Sequence, residues 1–315
     1  MGCRLSWSKG ARGRQVEWIG AAIQPWKSAS GVLGVTFTIA KEKIDKLASQ
    51  CDDILRSTRP IDRAKMRQLA GLATWMAGIL PQMTVFTARL WAATATNQEY
   101  INLHQIFTSV LWLRALCGRS MVPIQNHCRP PSGYFSLITF HASLSGGGAT
   151  LHSGLRVLED ATTKPIVAYW HANWSDDDLA TVRACKGEAS GQAVLEAYAL
   201  LVSVATWAKV LEQAQGALHI RGDAPGVLHS MLRFKAKDPV LNAIAGEMAY
   251  LIAPIGLDLR AAHIWSERND VCDHLSRLSP NELPNRAELT GAVKARRQPA
   301  PRFLLDNLVD EFTEA

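Results

Sequence analysis

The sequence predicts an α/β protein in which a mainly helical first part precedes a mixed five-stranded sheet with flanking helices. Two observations predict this class. Between residues 41 and 117, apolar side chains recur at intervals of three and four, as on one face of a helix. After residue 134, three short apolar segments separated by turns lead into alternating helical and strand patterns, which is typical of a sheet covered by helices.

The composition sets limits on the class of protein. A chain of 315 residues with 48% hydrophobic and 20% charged residues predicts two globular units, and no apolar run approaches the roughly 20 residues of a membrane span. The six cysteines form no CxxC pair, which favours an intracellular, reducing location (cytoplasm or nucleus) over a zinc knuckle or a disulfide framework. The net charge of +6 favours an anionic partner such as nucleic acid, although a merely basic surface explains it equally well.

The first part begins with two predicted strands and continues as helices. "VEWIGAAI" and "GVLGVTFTIA", separated by a Pro/Ser/Gly stretch, predict a hairpin. "KEKIDKLASQCDDIL" predicts the first helix, and Asp62 is placed to cap a second helix that runs to Pro81. We expect a third helix from about Met83 and a fourth over roughly 101–117.

The clearest linker is "VPIQNHCRPPSG", which is rich in turn-forming residues. It divides the chain into a first part at 1–121, a linker at 122–133, a sheet-forming second part at 134–280 and a tail at 281–315. In the tail, "KARRQPAPR" predicts a flexible basic linker and "FLLDNLVDEF" a short terminal helix.

The second part predicts three antiparallel strands and then an alternation of helices and strands. The strands are "FSLITFHAS", "GATLHSG" and "PIVAYWHAN", with a glycine-rich turn at 145–148 between the first two. A long helix over "GQAVLEAYALLVSVATWAKVLEQ" follows. The remaining predicted elements are, in order, the strand "ALHIRGD", a helix at about 225–234, the helix "DPVLNAIAGEMAYLI", the strand "LDLRAAHIWS" and the helix "RNDVCDHLSRL".

Three acidic residues of the second part are predicted to meet at one edge of the sheet. Glu196 lies in the long helix, Asp223 at the end of the next strand and Asp273 in the first turn of the last helix. Clustered carboxylates repel one another, and Mg²⁺ or Mn²⁺ relieves that repulsion. Each residue also has an ordinary interpretation: Glu196 facing solvent, Asp223 capping the following helix, Asp273 interacting with the helix dipole.

The order and context of these residues carry a resemblance to a known family. The segments are "FHASLSGGGATL" with His141, "LEAYAL" with Glu196, "IRGDAPGVL" with Asp223, and "HIWSERNDVCDHLSRL" with Asn269, Asp273, Leu275, Ser276 and Arg277. Together they resemble the ribonuclease H domain of retroelement polyproteins. The resemblance implies a ribonuclease H-like sheet, an RNA–DNA hybrid as partner, and metal ligation by Glu196, Asp223 and Asp273.

The first part resembles, more loosely, the end of a reverse-transcriptase palm and its thumb helices. The segments that carry this are "VTFTIAKEKIDKL" and "MRQLAGLATWMAGILPQMTVFTARLWAA". The polymerase signature, an aromatic-x-Asp-Asp hairpin between apolar strands, is absent from the sequence, because "CDDIL" has helical periodicity and "SDDDL" is predicted to lie in a polar loop. We therefore expect no DNA synthesis by this chain, and a separate chain would have to supply the polymerase.

His141 departs from the family pattern, which has aspartate at this position on the first strand. Imidazole adds no negative charge and suits transition metals better than Mg²⁺, so we expect weakened cleavage of the hybrid. Three explanations stay open: a decayed retroelement copy, residual Mn²⁺-assisted activity, or another task for the histidine. At the level of function, the alternatives are an active metal-dependent ribonuclease H and a non-catalytic nucleic-acid-binding module.

Nucleic-acid contacts are predicted from the motifs and from clusters of cations. The resemblance implies that nucleic acid is contacted by Arg277, Ser143 and Asn269. Further cationic candidates are Lys41, Lys43, Arg63, Lys65, Arg67, Lys294, Arg296 and Arg297, and the candidates for stacking are Tyr169, Trp170 and Trp174. For each of these, an ordinary surface charge or a core aromatic residue is the alternative.

Overall fold

The structure, a computed structural model, describes residues 16–18, 20–27, 33–95, 99–118, 124–126, 135–155, 165–213, 217–253, 255 and 258–302. The predicted terminal helix at 303–312 lies outside these residues. The predicted division at 122–133 stays a prediction: residues 124–126 form a strand, and the others in that segment are outside the described ranges.

The first part consists of a small antiparallel sheet and a group of helices. Its elements are β1 (Val16–Trp18), β2 (Ala21–Lys27), β3 (Leu33–Ile39), α1 (Lys41–Leu55), β4 (Ile61–Asp62), α2 (Arg63–Ala77), α3 (Thr84–Thr94), β5 (Tyr100–Ile101), α4 (Phe107–Gly118) and β6 (Ile124–Asn126). The predicted hairpin is a sheet of order β1-β2-β3-β6 in the described part of the chain. Strand β2 continues through Pro25 to Lys27, so the break before β3 is shorter than predicted.

The helix boundaries show where local signals act. Asp62 caps α2 as predicted, since its Oδ1 accepts hydrogen bonds from the backbone N–H groups of Ala64 and Lys65 at 2.6 and 3.2 Å. Helix α2 ends at Ala77 instead of Pro81, because a separate 3₁₀ turn begins at the proline. Helix α4 begins at Phe107, later than predicted, because another 3₁₀ turn spans 103–105.

The second part forms the larger sheet with helices on its faces. Its elements are β7 (Phe135–Ala142), β8 (Gly146–Leu155), β9 (Ala168–Asn173), α5 (Asp176–Thr181), α6 (Gln192–Glu212), β10 (Ala217–Gly222), α7 (Pro225–Arg233), α8 (Pro239–Ile252), β11 (Asp258–His263), α9 (Asp270–Arg277) and β12 (Val293–Lys294). The strand order is β11-β10-β7-β8-β9-β12. β7, β8 and β9 are antiparallel neighbours, whereas β10 runs parallel to both β7 and β11.

This arrangement confirms the predicted fold class of an α/β protein with a mixed sheet and flanking helices. The five predicted strands are present, and β12 adds a sixth next to β9 in the described part of the chain. Because β7 and β10 are adjacent and parallel, their carboxyl ends lie side by side, as in the sites of open α/β sheets.

Two local predictions for the second part are wrong. The glycine-rich segment is not the turn itself: Ser143 N–H donates to the carbonyl of Gly146 at 2.8 Å, and Gly146–Gly148 belong to strand β8. The segment predicted as a polar loop at 175–179 contains helix α5, because Ser175 and Asp178 form a reciprocal capping box.

The predicted flexible basic tail is also corrected within the described residues. Residues 293–294 form β12, and Arg297 and Arg302 make ion pairs with Asp178 and Asp177 of helix α5. The tail is therefore fastened to the sheet and to α5 as far as residue 302.

Helix α6 is the centre of the core. With the preceding turn, Ala189–Glu212 is long and apolar enough for a membrane span by length and composition alone, but most of its residues are buried inside the protein. One hydrophobic core runs through both parts of the chain. For example, the ring of Trp112 in α4 contacts the ring of Tyr250 in α8 edge to face, with centroids 4.7 Å apart.

Candidate active site

Three carboxylates and one imidazole meet at the carboxyl ends of β7 and β10. Nε2 of His141 lies 3.5 Å from Asp223 Oδ2 and 3.7 Å from Glu196 Oε1. Nδ1 of the same ring lies 3.7 Å from Asp273 Oδ1. The structure thus brings together the four side chains that the sequence singles out; their roles in catalysis and metal binding remain predictions.

The glycines of β8 bring helix α9 close to this site. His141 pairs with Gly148 across the β7–β8 ladder. A Cβ atom at Gly148 would lie 2.5 Å from Leu275 Cβ and 3.0 Å from the backbone of Ser276, so only glycine lets α9 pack this closely on the sheet. This contact places Asp273 and Ser276 beside the histidine.

Glu196 is the most enclosed member of the site, with 2% of its surface exposed. Its Oε1 accepts hydrogen bonds from the backbone N–H of Ala142 at 2.9 Å and from Nε2 of Gln192 at 3.2 Å. Its Oε2 is buried and has no hydrogen-bond partner among the described residues. Burial raises the pKa of Glu196 to about 8, and the two hydrogen bonds only partly oppose this.

Asp223 follows strand β10 directly and faces His141. Its Oδ2 accepts a hydrogen bond from the hydroxyl of Ser266 at 3.0 Å. The alternative that Asp223 caps helix α7 is wrong, because the residue at the cap position is Ala224 and no side-chain cap is formed. The carboxylate is therefore directed to the site.

Asp273 is held at the rim of the site by a cation from its own helix. Arg277, one turn further along α9, donates to both carboxylate oxygens, with the shortest contact at 2.7 Å. These hydrogen bonds keep the pKa of Asp273 below its usual value, although burial acts in the opposite direction. Asp273 is therefore an ionised carboxylate that is already compensated by Arg277.

The hydrogen bonds of Ser276 indicate the orientation and the tautomer of the His141 ring. Its Nδ1 lies 3.2 Å from the hydroxyl oxygen of Ser276, and that hydroxyl donates to the backbone carbonyl of Asp273 at 2.8 Å. Because the Ser276 proton is used there, its oxygen accepts from Nδ1–H, and Nε2 is left with its lone pair. Burial lowers the pKa of His141, while Asp223 and Asp273 act to raise it.

Three supporting residues of the site are not predicted as such from the sequence. Gln192 bridges the carbonyl of Ala142, at 2.5 Å, and Glu196. Ser266 holds Asp223, and Ser276 holds His141. Gln192 lies one helical turn before Glu196, which is a readable signal; the two serines meet their partners only through the fold.

Two of the three residues expected to touch nucleic acid are used inside the protein. Ser143 is buried, and its hydroxyl donates to the carbonyl of Ser276 at 2.7 Å, which ties the β7–β8 turn to α9. Asn269 is buried and donates through Nδ2 to the carbonyl of Phe140 at 3.0 Å. This corrects the expectation for both side chains, whereas the Arg277 side chain is 64% exposed beside the site.

The predicted stacking residues are core residues. Tyr169, Trp170 and Trp174 are all buried. The exposed aromatic side chain next to the site is Trp265, which is 67% exposed and directly precedes Ser266. The motif "HIWSERND" contains it, but nothing in the sequence alone shows that its ring faces solvent.

The other cationic candidates divide into one that is paired inside the protein and others that are exposed or half-buried. Arg297 is committed to Asp178, with Nη1 to Oδ2 at 3.0 Å. Exposed positions are held by Lys41, Lys65, Arg67, Lys294 and Arg296, whereas Lys43 and Arg63 are half-buried. None of these contacts the cluster around His141 in the described structure.

The comparisons with known proteins concern solved structures only, since no protein-family profile and no curated protein sequence matches the chain. RNase H1 from the halophilic archaeon Halobacterium salinarum NRC-1 aligns with 45% of this chain and 92% of its own chain, at 17% identity and a TM-score of 0.31. LC11-RNase H1 in complex with an RNA/DNA hybrid has the same coverage, at 16% identity and a TM-score of 0.34.

A viral protease-reverse transcriptase aligns over more of the chain. The foamy viral protease-reverse transcriptase in complex with an RNA/DNA hybrid matches 86% of this chain, at 12% identity and a TM-score of 0.28. The alignment covers 32% of the viral chain, so this protein spans about a third of its length. At such identities residue roles do not transfer, and the chemistry of the site has to follow from its own atoms.

The donor set does not fit two Mg²⁺ ions bound between four carboxylates. One of the four positions is a neutral imidazole, and Asp273 already shares both its oxygens with Arg277. The ligand atoms that lie within 4.8 Å of one another belong to His141, Glu196 and Asp223. One nitrogen donor with two carboxylates is a ligand set that suits a single transition-metal ion better than Mg²⁺.

Proposed function

We propose that this chain is a retroelement-derived reverse transcriptase/ribonuclease H region that binds RNA–DNA hybrids and in which hydrolysis of the RNA strand is impaired. The observation that carries the proposal is the position of the His141 imidazole, 3.5 to 3.7 Å from three carboxylates at the ends of two parallel strands. Two divalent ions bound at such a site stabilise the attacking and leaving oxygens of phosphodiester hydrolysis.

The residues of this chain provide only part of what that chemistry needs. Glu196 and Asp223 offer oxygen ligands, and Asp273 is a third carboxylate at the rim. With a neutral imidazole in place of a fourth carboxylate, the site has less negative charge to balance two cations. We therefore infer that Mg²⁺-dependent cleavage is weak or absent, whereas Mn²⁺ retains at most residual activity.

Binding of the hybrid does not depend on a complete metal site. Hybrids are recognised through backbone phosphates and 2′-hydroxyls, which require cations and donors at the surface. The chain carries a net charge of +6, and Arg277 and Trp265 are exposed beside the site. The proposal places this activity inside the cell and leaves DNA synthesis to a separate polymerase chain.

The decisive experiment restores the missing carboxylate. Cleavage of a labelled RNA–DNA duplex is measured over Mg²⁺ and Mn²⁺ titrations for the wild type and for His141→Asp. We expect at least about a 100-fold higher rate for His141→Asp in Mg²⁺, an effect of the size seen when one charge-stabilising group is removed from an active site. The double variant His141→Asp/Glu196→Gln is the matched control and should be inactive.

The outcomes separate the alternatives. Equal cleavage by the wild type and His141→Asp overturns the proposal in favour of a working ribonuclease H. Salt-sensitive hybrid binding with cleavage by neither protein points to a non-catalytic binding module. No binding of the hybrid by either protein removes the nucleic-acid function altogether.

Trp265 allows a test of binding that is separate from cleavage. Stacking of a base or sugar on an exposed aromatic ring is worth about 1–3 kcal/mol, so Trp265→Ala should weaken hybrid affinity by about 5-fold or more. Fluorescence anisotropy of a labelled hybrid measures this. Trp91→Ala is the control, since Trp91 is also exposed but lies on helix α3 of the first part.

A further inference from the structure

His141 Nε2 and its two nearest carboxylate oxygens have the spacing of metal ligands. The distances of 3.5 and 3.7 Å are too long for hydrogen bonds. Ligand atoms that surround one ion at about 2.0–2.2 Å are roughly 3.0–3.5 Å apart, so the two distances from Nε2 need only a small contraction. All three ligand atoms lie within 4.8 Å of one another, which lets them close around the same ion.

The hydrogen bonds around the ring leave Nε2 free to donate its lone pair to a metal. Ser276 donates its proton to the carbonyl of Asp273, and therefore accepts from Nδ1–H of His141. This second contact is of the kind that orients metal-bound histidines in proteins. In the absence of a cation, the Nε2 lone pair faces two carboxylate oxygens, which is an unfavourable arrangement.

A further observation at Glu196 also indicates a missing ligand. The residue is 2% exposed, and its Oε2 atom is buried without a hydrogen-bond partner in the part of the chain that the structure describes. A buried carboxylate oxygen without a donor is costly, and a metal ion would satisfy it. Asp273, by contrast, has both oxygens occupied by Arg277.

We propose that His141, Glu196 and Asp223 form a site for a single ion of the Zn²⁺ class, with Ser276 as the residue that positions the imidazole. One nitrogen and two carboxylate donors suit such an ion better than Mg²⁺, which prefers an all-oxygen shell. Three protein ligands leave a coordination position for water or a phosphate oxygen. The inference concerns the same side chains as the proposed function but does not depend on hybrid binding.

The test measures metal binding directly. Isothermal titration calorimetry of the full chain with Zn²⁺ and with Mg²⁺ is combined with the visible absorption of the Co²⁺-loaded protein. We expect one tight Zn²⁺ equivalent in the wild type, with much weaker Mg²⁺ binding and Co²⁺ bands typical of low coordination number. Ser276→Ala should lower the Zn²⁺ affinity by about 10-fold, and His141→Ala by more.

Two further variants control for folding and for adventitious sites. His141→Asp keeps a ligand at the position and should exchange the preference, so that Zn²⁺ affinity falls and Mg²⁺ affinity rises. His229→Ala removes an exposed histidine of helix α7 and should change nothing at the tight site. Circular dichroism of each variant checks that the fold is retained.

The result that overturns the inference is a Zn²⁺ isotherm and Co²⁺ spectrum that stay the same in His141→Ala. A wild type that binds no Zn²⁺ equivalent also overturns it. Tight Zn²⁺ binding without hybrid binding would support the metal site and contradict the proposed function. Hybrid binding without Zn²⁺ binding would support the proposed function and contradict the metal site.

Discussion

Asp178 and Glu196 are both buried carboxylates of the second part, but only Asp178 of the two is paired with an arginine. Asp178 accepts hydrogen bonds from Ser175 at 2.8 and 2.9 Å, from the hydroxyl of Tyr198 at 2.9 Å and from Arg297 at 3.0 Å. Burial alone would raise the pKa of Asp178, but the hydrogen bonds from Arg297 and Ser175 outweigh it and lower the pKa.

Glu196 has donors but no cation of its own. Its contacts are an amide N–H, the Gln192 side chain and a neutral imidazole at 3.7 Å, and its pKa is raised to about 8. The comparison separates two uses of a buried acid. Asp178 is neutralised by an arginine of the protein and holds the tail in place, whereas Glu196 has no such partner and is neutralised by a proton below a pH of about 8.

The largest expected effect comes from removing the cation at the Asp178 cluster. Arg297→Met leaves a buried carboxylate without its partner and should lower the free energy of unfolding by about 3–5 kcal/mol at pH 7, measured by urea denaturation. Arg302→Met breaks an ion pair with the exposed Asp177 and should cost less than about 1 kcal/mol. Equal losses in the two variants would contradict a structural role for the buried pair.

At Glu196, a substitution is expected to raise the free energy of unfolding at high pH, whereas Arg297→Met lowers it. Between the ordinary pKa of 4.5 and about 8, the native state binds more protons than the unfolded chain, so the metal-free protein loses stability as the pH rises through this window. Glu196→Gln removes the titrating group, so its free energy of unfolding relative to that of the wild type should rise by up to about 5 kcal/mol between pH 4 and pH 9. The reason is that a pKa raised from 4.5 to about 8 corresponds to about 1.4 kcal/mol for each pH unit of the shift.

Thermal or urea unfolding at several pH values, with a chelator present, measures this difference. Glu212→Gln, at the exposed end of the same helix, is the control and should follow the wild type at every pH. A stability difference for Glu196→Gln that does not change with pH would show that Glu196 is not the group that titrates.

A smaller effect is expected where α9 meets the sheet. Gly148→Ala places a methyl group 2.5 Å from Leu275 Cβ and should cost about 1–3 kcal/mol through overpacking. The same change should disturb the His141 site more than the Asp178 cluster, because α9 carries Asp273 and Ser276. Gly226→Ala, where no atom lies within 4 Å of the added carbon, is the control and should be nearly neutral.

The smallest effect is expected for the pair at the rim of the site. Arg277→Gln should raise the pKa of Asp273 toward its usual value, because Arg277 is the main cause of its lowering. Carbon-detected NMR of the carboxyl group follows this titration. Since the Arg277 side chain is 64% exposed, the change in stability should stay below about 0.5 kcal/mol. A pKa that does not move would show that Asp273 is held by the site and not by Arg277.

Much of the fold could be predicted because its signals are local. The spacing of apolar residues predicts α1, α6 and α8, and the side chain of Asp62 predicts the start of α2. Apolar periodicity does not indicate helix α5, because a polar segment such as "SDDDL" has no apolar face, although its capping box is present in the sequence. Strand β12 has no signal in the sequence, because two residues carry no periodicity.

The candidate site was predictable in its members but not in its supports. His141, Glu196, Asp223 and Asp273 stand in recognisable motifs, and the structure brings them together. For Tyr169, Trp170 and Trp174 the structure decides for the core alternative, and the sequence could not, because an aromatic residue on a buried strand and one on an exposed turn look alike in sequence. Burial, which decides between them, depends on neighbours that are distant along the chain.

The sequence by itself determined the periodicities, the caps and the identity of the four side chains, because these depend on residues a few positions apart. Only the tertiary structure decided which buried acid receives an arginine and which faces an imidazole with a free lone pair. The physical reason is that solvation and hydrogen-bond partners are set by contacts across the fold, such as those of Ser276 with His141 and Arg297 with Asp178.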